Sequence, residues 1–309
     1  MNKIARSVLA SYSYDSNPDD ISTGNILRQS IELIARLPVM AAYGYQAKSH
    51  YHDGKSLYLH TPQPRLSTAE NLLYMIRPDN KYTREEAEML DVLLMIHAEH
   101  GGGNNSTFTT HVVTSSGTDT YSAVAAALAS LKGPKHGGAN VKVYYMFEDL
   151  KKHVKDWEDE DALEDYLEKL LDKQVFDKKG LIYGMGHAVY TISDPVSRFF
   201  TVLLKSLRLP KVTMMNLIFM RELKDWLRRL SAESVKIYKG VAANVDFYSG
   251  LLYSLLDIPC ELYTPLFATA RITGWSAHRL EELINCGKII RPAYMSISEN
   301  KEYVDLKDR

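Results

Sequence analysis

Apolar residues recur along most of this chain at the three- to four-residue spacing of amphipathic α-helices. The spacing predicts helices at residues 25–41, 121–131 and 158–173. Two more helices are expected to begin after Ser67 and Thr83, because each of these residues has a glutamate three positions later, as in a capping box. Alternation with a period of two is confined to short stretches such as residues 56–60, where it favours a strand. The pattern therefore predicts a mostly α-helical protein.

Composition and charge narrow the classes of function. The chain has 309 residues, 45% hydrophobic residues and a formal net charge of −1. This charge gives no electrostatic reason to expect nucleic acid or an anionic membrane as a partner. No apolar run approaches the ~20 residues of a membrane span, and the first eleven residues lack the apolar core of a signal peptide. The two cysteines form no CxxC pair, which argues against a disulfide framework or zinc site and favours a reducing, cytoplasmic location.

One candidate metal pair lies at His97 and His100, three residues apart on a predicted helix. The HExxH order is absent, and no third ligand follows nearby. The alternative is a packed His97 with His100 at a helix C-terminus, where the carbonyl ends favour a cation.

Three short segments place an acid–base side chain beside glycine or another small residue. They are residues 133–140 around His136, residues 184–189 around His187, and residues 244–250 around Asp246. Taken singly, His136 is typical of a turn residue, and Asp246 of a helix N-cap. The glycines around His187 favour a tight loop that presents backbone N–H groups to a ligand. A carboxylate in apolar surroundings, such as Asp246, has a raised pKa and suits a general base.

Together these segments and residues 97–108, His-Ala-Glu-His-Gly-Gly-Gly-Asn-Asn-Ser-Thr-Phe, resemble the bacterial branch of the citrate synthase family. The similarity runs over residues 12–195 and again from residue 237 to the C-terminus. The resemblance implies condensation of acetyl-CoA with oxaloacetate, followed by hydrolysis of citryl-CoA. In this reaction acetyl-CoA is a substrate, and neither a cofactor nor a metal is implied.

The resemblance also implies roles for individual residues. Asp246 matches the base that takes a proton from acetyl-CoA, His136 the neutral donor that stabilises the enol, and His187 the group that polarises the ketone of oxaloacetate. The family's carboxylate-binding positions fall on His100, Arg271 and Arg291, and arginine suits them because its planar fork binds carboxylate with two hydrogen bonds. Residues matching the CoA site are Leu181, Ile182 and Tyr183, with Lys239 and Asn244 as weaker matches.

The fold implied by the resemblance is all-α, the citrate synthase fold, with a smaller helical domain inserted in a larger one. On this basis residues 1–138 and 261–309 form the large domain and residues 139–260 the small domain. The site is expected in the cleft between them, closed during condensation. Arg291 is expected to reach the partner subunit's site, which implies a homodimer.

Two features depart from the family pattern. The similarity begins partway into the usual family length, so helices near the CoA phosphates and part of the dimer surface are expected to be absent. Val196 stands where the family has a carboxylate-binding arginine, two positions before Arg198. From residue 196 to 230 there are eight Lys or Arg against two acids.

This basic stretch has two interpretations. A shift of one base lets the codons of residues 214–216, Met-Met-Asn, encode a family-like Asp-Glu, which favours an out-of-frame segment corrected before residue 237. A truly divergent segment is the alternative, since its leucines also fit helices. Three alternative functions stay open. The first is a catalytically impaired or inactive family member, and the second is a 2-methylcitrate synthase that uses propionyl-CoA. The third is a metal-dependent hydrolase that uses His97 and His100.

Overall fold

The structure is a computed structural model, and it describes residues 1–155, 159–185, 244–285, 287–293, 295, 297–299 and 301–308. In this part of the chain the helices are α1 (Asn2–Tyr12), α2 (Thr23–Asp53), α3 (Thr68–Ile76), α4 (Arg84–His97), α5 (Asn105–Thr114), α6 (Thr120–Leu131), α7 (Ala139–His153), α8 (Glu160–Leu171), α9 (Val245–Leu255) and α10 (Tyr263–Asn285). Short 3-10 helices lie at Cys260–Leu262 and Leu306–Asp308. The predicted all-α class is confirmed.

Local capping sets the starts of α3 and α4 as predicted. Ser67 Oγ accepts from the backbone N–H of Glu70 at 3.2 Å, and the Glu70 carboxylate accepts from the Ser67 N–H at 2.7 Å. Thr83 and Glu86 make the same reciprocal pair at 3.2 and 2.7 Å. Each pair satisfies two backbone donors that the first helical turn cannot satisfy itself.

Two predictions about elements are corrected. Residues 56–60 form no strand; the connection from α2 to α3 is irregular in this region. Aromatic contacts hold it instead, with the Tyr58 ring stacked on His60 and the His60 ring beside Tyr74 of α3. Helix α2 continues twelve residues beyond the predicted end at residue 41. Its later turns bury the polar residue Gln46, whose amide donates to the last carbonyls of α3 at 2.9 and 3.2 Å.

Helix α10 is the centre of the packing and carries the chemistry described below. It contacts α2, α4, α5, α6 and α7. Two apolar cores flank it, one drawn mainly from α1, α2 and α6 and the other from α3, α4, α7, α8 and α9. Its largest fully buried side chains are Trp275, Arg271, Arg279 and Tyr263. The division into domains at residues 138 and 260 stays a prediction.

Within the described residues no helix combines the length and the apolar character needed to cross a bilayer.

Candidate active site

Arg271 lies at the middle of the candidate site and is only 1% exposed. Its Nε donates to the carbonyl oxygen of His97 at 2.6 Å, and its guanidinium lies 4.6 Å from the centre of the Phe267 ring. Its Nη1 is buried and has no hydrogen-bond partner among the described residues. Burial lowers the pKa of Arg271 to about 10, against the opposing charges of Glu99 and Asp246, so the group stays a cation at neutral pH.

Arg279, two turns further along α10, differs from Arg271 because its guanidinium has several hydrogen-bond acceptors within the protein. Its guanidinium donates to Thr118 O at 2.8 Å, Thr114 Oγ1 at 3.1 Å and Thr120 Oγ1 at 3.3 Å. A buried donor that lacks a partner is costly and needs an explanation. For Arg271, a carboxylate ligand at Nη1 supplies one.

Asp246 lies in the first turn of α9. Asn244 is the N-cap of this helix, and its Oδ1 accepts from the Asp246 N–H at 3.0 Å, so the interpretation of Asp246 as the cap is wrong. Part of the Asp246 surface stays accessible, but its carboxyl group is deep enough that desolvation raises its pKa to about 6, with Arg271 opposing the shift. A carboxylate with this pKa is suited to accept a proton near neutral pH.

His136 lies in the turn between α6 and α7, and its Nε2 is 3.0 Å from Ser106 Oγ. Burial lowers the pKa of His136, and the nearby charges of Arg271 and His100 lower it further. The imidazole is therefore neutral at neutral pH and is a hydrogen-bond donor through one nitrogen only.

Ser106 and Trp275 are site residues that the sequence interpretation missed. The indole Nε1 of Trp275 donates to Ser106 Oγ at 3.2 Å, and Ser106 also lies 2.9 Å from Asn104 Oδ1. Ser106 is part of the motif at residues 97–108, which is the signal that could have found it. Trp275 follows Arg271 by one helical turn, so it shares a face of α10 with it.

His100 follows the end of α4 and is exposed. Because α4 ends at His97, the two histidines do not share a helix face as predicted. The His97 ring is fully buried, its Nδ1 is 2.7 Å from Leu93 O, and burial lowers its pKa to about 4. These contacts support the packed interpretation of His97 over the metal pair.

A glycine in α10 positions the segment that carries His100. A Cβ at Gly274 would overlap the carbonyl oxygen of Ala98 and the carboxylate of Glu99. Because Gly274 has no Cβ, the backbone just before His100 lies directly against α10.

The segment that was predicted to bind CoA lies against the start of α9. Leu181 is 53% exposed, Ile182 is buried, and the Tyr183 hydroxyl donates to Asp177 Oδ2 at 2.5 Å. Gly184 accepts from the Asn244 N–H at 2.9 Å and has a φ of +79°, and a Cβ there would overlap Phe247. The two segments that flank the catalytic candidates are thus joined by their backbones.

The remaining predicted site residues are His187, Lys239, Val196 and Arg291. His187, Lys239 and Val196, with the basic stretch that follows, lie outside the described residues. Arg291 is exposed, and the N–H of its neighbour Ile290 donates to Ser115 Oγ at 3.0 Å. Ser115 caps the far end of α5 from Ser106, about 14 Å away along the helix axis.

Residues 1–293 match the family described as "Citrate synthase, C-terminal domain". A citrate synthase of Synechocystis is 36% identical over 280 residues, which cover 90% of this chain and 64% of that protein. The 2-methylcitrate synthase 1 of Corynebacterium glutamicum is 30% identical over 96% of this chain and 72% of its own length. The chain therefore spans roughly two thirds of the length of these relatives.

A solved structure of similar fold is the citrate synthase of Thermoplasma acidophilum, in a ternary complex with carboxymethyl coenzyme A and oxaloacetate. Its TM-score to this structure is 0.74, at 27% identity, and the match covers 99% of this chain and 75% of that one. The family match, the relatives and the fold agree with the motifs around His136 and Asp246. The chain is a member of the citrate synthase family.

Proposed function

We propose that this protein condenses acetyl-CoA with oxaloacetate and hydrolyses the resulting citryl-CoA to citrate and CoA. The observation that carries the proposal is that the candidate acid–base residues lie around Arg271. Its charge acts on both Asp246 and His136, and the charge of His100 acts on His136 as well. A base, a neutral donor and two groups that suit a dicarboxylate thus lie close together.

The first step removes a proton from the methyl carbon of acetyl-CoA. Asp246 takes this proton, and because its pKa is raised to about 6 it is a stronger base than an exposed carboxylate while still ionised at neutral pH. The developing charge on the thioester oxygen needs a donor placed in advance. His136 is that donor.

Ser106 can select the imidazole tautomer in this mechanism by turning its hydroxyl proton from Asn104 Oδ1, the acceptor it has in this structure, to His136 Nε2. Trp275 can only donate, so the Ser106 proton is available for His136 Nε2 or Asn104 Oδ1. When Ser106 donates to Nε2, the imidazole proton resides on Nδ1, which then donates to the enol oxygen.

The second step forms the carbon–carbon bond. The enol carbon attacks the ketone of oxaloacetate, which His187 polarises, and the ketone oxygen takes up a proton to give citryl-CoA. Arg271 Nη1 and His100 bind the carboxylates of oxaloacetate. Water then attacks the thioester, and the C–S bond breaks to release CoA and citrate. Leu181, Ile182, Tyr183, Asn244 and Lys239 are proposed to bind CoA, which is a substrate and not a resident cofactor.

The active protein is proposed to be a homodimer. Arg291 is exposed, and its segment is anchored at the end of α5 away from Ser106. This placement suits an arginine that completes the partner subunit's site. A cytoplasmic location is proposed with it, since the chain has only two cysteines and Cys260 is not disulfide-bonded.

The 2-methylcitrate synthase of Corynebacterium glutamicum makes propionyl-CoA a second candidate substrate. An inactive family member is the alternative from another class, and Val196 is the residue that favours it.

The test follows thiol release from acetyl-CoA in the presence of oxaloacetate, with Asp246→Asn and Asp257→Asn compared. The two changes are chemically identical, but Asp257 is exposed just beyond α9. We expect release by the native protein, unchanged release by Asp257→Asn, and a loss of about 10²- to 10⁴-fold in Asp246→Asn.

Two outcomes would count against this function. Faster release with propionyl-CoA than with acetyl-CoA would favour the 2-methylcitrate reaction. No release with either thioester, from protein that is folded by circular dichroism and dimeric by light scattering, would favour the inactive member. Val196→Arg would then be the next variant.

A further inference from the structure

A second cluster of titratable side chains, which has no part in the site just described, lies beside Gly102 of the glycine-rich segment. It pairs His111 of α5 with His278 of α10, although these residues are 167 positions apart. The two rings are 17% and 16% exposed, and their centres are 5.0 Å apart. Neither residue has a role in the proposed reaction.

Each imidazole has a carboxylate on its outer nitrogen. His111 Nδ1 is 2.7 Å from Oε2 of the buried Glu282, and His278 Nε2 is 3.1 Å from Oε1 of Glu99. A carboxylate accepts a hydrogen bond, so it holds the proton of a neutral imidazole on the nitrogen facing it. The inner nitrogens, His111 Nε2 and His278 Nδ1, then both carry lone pairs.

These inner nitrogens face each other at 3.1 Å, and the Glu281 carboxylate lies 3.0 Å from His278 Nδ1. The three ligand atoms, one from each residue, all lie within 4.8 Å of one another. Two lone pairs and a carboxylate at these distances favour a shared cation, which is either a proton or a metal ion. A zinc ion with Zn–N bonds of about 2.05 Å in tetrahedral geometry separates two ligand nitrogens by about 3.3 Å, close to the observed spacing.

We infer that His111, His278 and Glu281 form a binding site for a zinc-class divalent metal ion. Two imidazoles and one carboxylate are ligands that zinc and its neighbours prefer over magnesium or calcium. The outer carboxylates, Glu282 and Glu99, form the carboxylate–histidine–metal arrangement that orients metal-binding histidines.

One further feature of the surroundings, at Glu282, supports a cation. Glu282 is buried, and its Oε1 has no hydrogen-bond partner among the described residues. A buried carboxylate that is only half satisfied favours positive charge nearby. Gly102 lies over the inner nitrogens, where a Cβ would come within 3.7 Å of His111 Nε2. The 57% exposure of Glu281 leaves the site a route from solvent.

The metal ion is not a participant in the condensation. Glu99 Oε1, which holds the outer nitrogen of His278, also accepts from the backbone N–H of His100 at 2.8 Å. Metal binding would therefore fix the segment that carries His100. The site is distinct from the His97 and His100 pair considered from the sequence.

Cobalt substitution tests this inference directly. Protein freed of metal by a chelator is titrated with Co²⁺, and the visible absorption of bound Co²⁺ reports its coordination by nitrogen and oxygen. We expect one equivalent per chain, displaced by Zn²⁺. His278→Gln and Glu281→Gln should weaken binding by about 10-fold or more, and the outer-shell change Glu282→Gln by about 10- to 100-fold.

His153→Gln is the matched control, because His153 pairs with Asp149 on α7 but faces no second imidazole in the described contacts. Its affinity for Co²⁺ should equal that of the native protein. Glu281→Gln keeps the test informative if His278→Gln fails to fold, since Glu281 is exposed. Absence of binding with excess Co²⁺ would overturn the inference. The contact between the two imidazoles would then be explained by a proton that they share. Unchanged affinity in the ligand variants would also overturn the inference.

Discussion

At the scale of single residues, Arg271 and Arg279 differ in how many of their guanidinium donors are hydrogen-bonded within the described protein. Both are buried in α10, but Arg279 has three acceptors from threonines and backbone, whereas Arg271 has one acceptor and a buried Nη1 without a partner among the described residues. Arg279 therefore stabilises the fold as it stands, whereas Arg271 is proposed to bind a substrate carboxylate.

Arg271→Lys should therefore raise the KM for oxaloacetate by about 10- to 100-fold, the range for losing a hydrogen bond to a charged group. Its free energy of unfolding without substrate should fall by less than that of Arg279→Lys, because Arg271 makes one hydrogen bond to the described residues and Arg279 makes three. Arg279→Lys should do the reverse, lowering the free energy of unfolding and leaving KM near its native value. Steady-state kinetics and urea unfolding of the two variants measure these effects. A similar loss of stability in both would contradict a binding role for Arg271.

Asp246 should make the fold less stable as pH rises. Its pKa is about 6 in the folded protein and about 3.8 in an unfolded chain, so the folded state binds more protons between these values. The free energy of unfolding therefore falls as pH rises through this window and stays lowered above it. Asp246→Asn removes that cost and should stabilise the protein at neutral pH by up to about 3 kcal/mol.

Chemical unfolding at about pH 5 and about pH 7.5 measures this gain, which should be larger at the higher pH. Asp257→Asn, the exposed control, should show no such gain. A variant that loses stability at both pH values would show that Asp246 is held by contacts and not merely desolvated.

The sequence predicted single residues only where their partners are near in the chain or the family motif names them. The charges of Arg271 and His100 act on His136, and that of Arg271 acts on Asp246, whereas the catalytic and binding roles of these residues stay predictions. The Ser106 contact with Trp275 joins residues 169 positions apart, and no local pattern predicts it. The Asn244 side chain caps α9, a role that the sequence interpretation missed, and its contact with CoA stays a prediction.

At the scale of elements, the close approach of the 98–104 segment to α10 depends on Gly274. Gly274→Ala should cost about 1–3 kcal/mol of stability, because its Cβ overlaps the Ala98 carbonyl oxygen and the Glu99 carboxylate. The displaced segment should also raise the KM for oxaloacetate through His100. Thermal unfolding and kinetics of the variant measure the two effects.

Gly24→Ala is the control within a helix. Gly24 lies in the first turn of α2, and a Cβ there meets nothing within 4 Å. This change should leave KM alone and be neutral or stabilise by up to about 1 kcal/mol. An equal KM for the Gly274 variant and the native protein would show that His100 does not depend on this contact.

Helix starts were predictable because Ser67 and Thr83 form their capping boxes within four residues. Helix α2 was cut short in the prediction because Gln46 and Ser49, which are polar, occupy its buried face. The strand at residues 56–60 failed because alternation over five residues does not supply a neighbouring strand to pair with. Tertiary contacts decided both cases, and a local window cannot contain them.

At the scale of the whole molecule, the proposed role of Arg291 across a dimer can be tested by complementation. Asp246→Ala and Arg291→Ala should each be inactive alone. A mixed dimer should contain one intact site, with Asp246 from one chain and Arg291 from the other. Random exchange of subunits should then restore about one quarter of native activity.

Thiol release after the two variants are unfolded together and refolded measures this recovery. Each variant refolded alone is the control. If Arg291 served its own chain, no mixed dimer would contain an intact site and the mixture would stay inactive.

The fluorescence of Trp275 can report on changes at the centre of the proposed site. The chain has three tryptophans, and Trp275 donates to the serine that also contacts His136. Replacing Trp157 and Trp226 with phenylalanine would leave one emitter, joined to the proposed catalytic imidazole by two hydrogen bonds through Ser106. The fluorescence intensity of Trp275 would then report ligand binding and release in real time. This measurement needs neither an attached dye nor catalytic turnover.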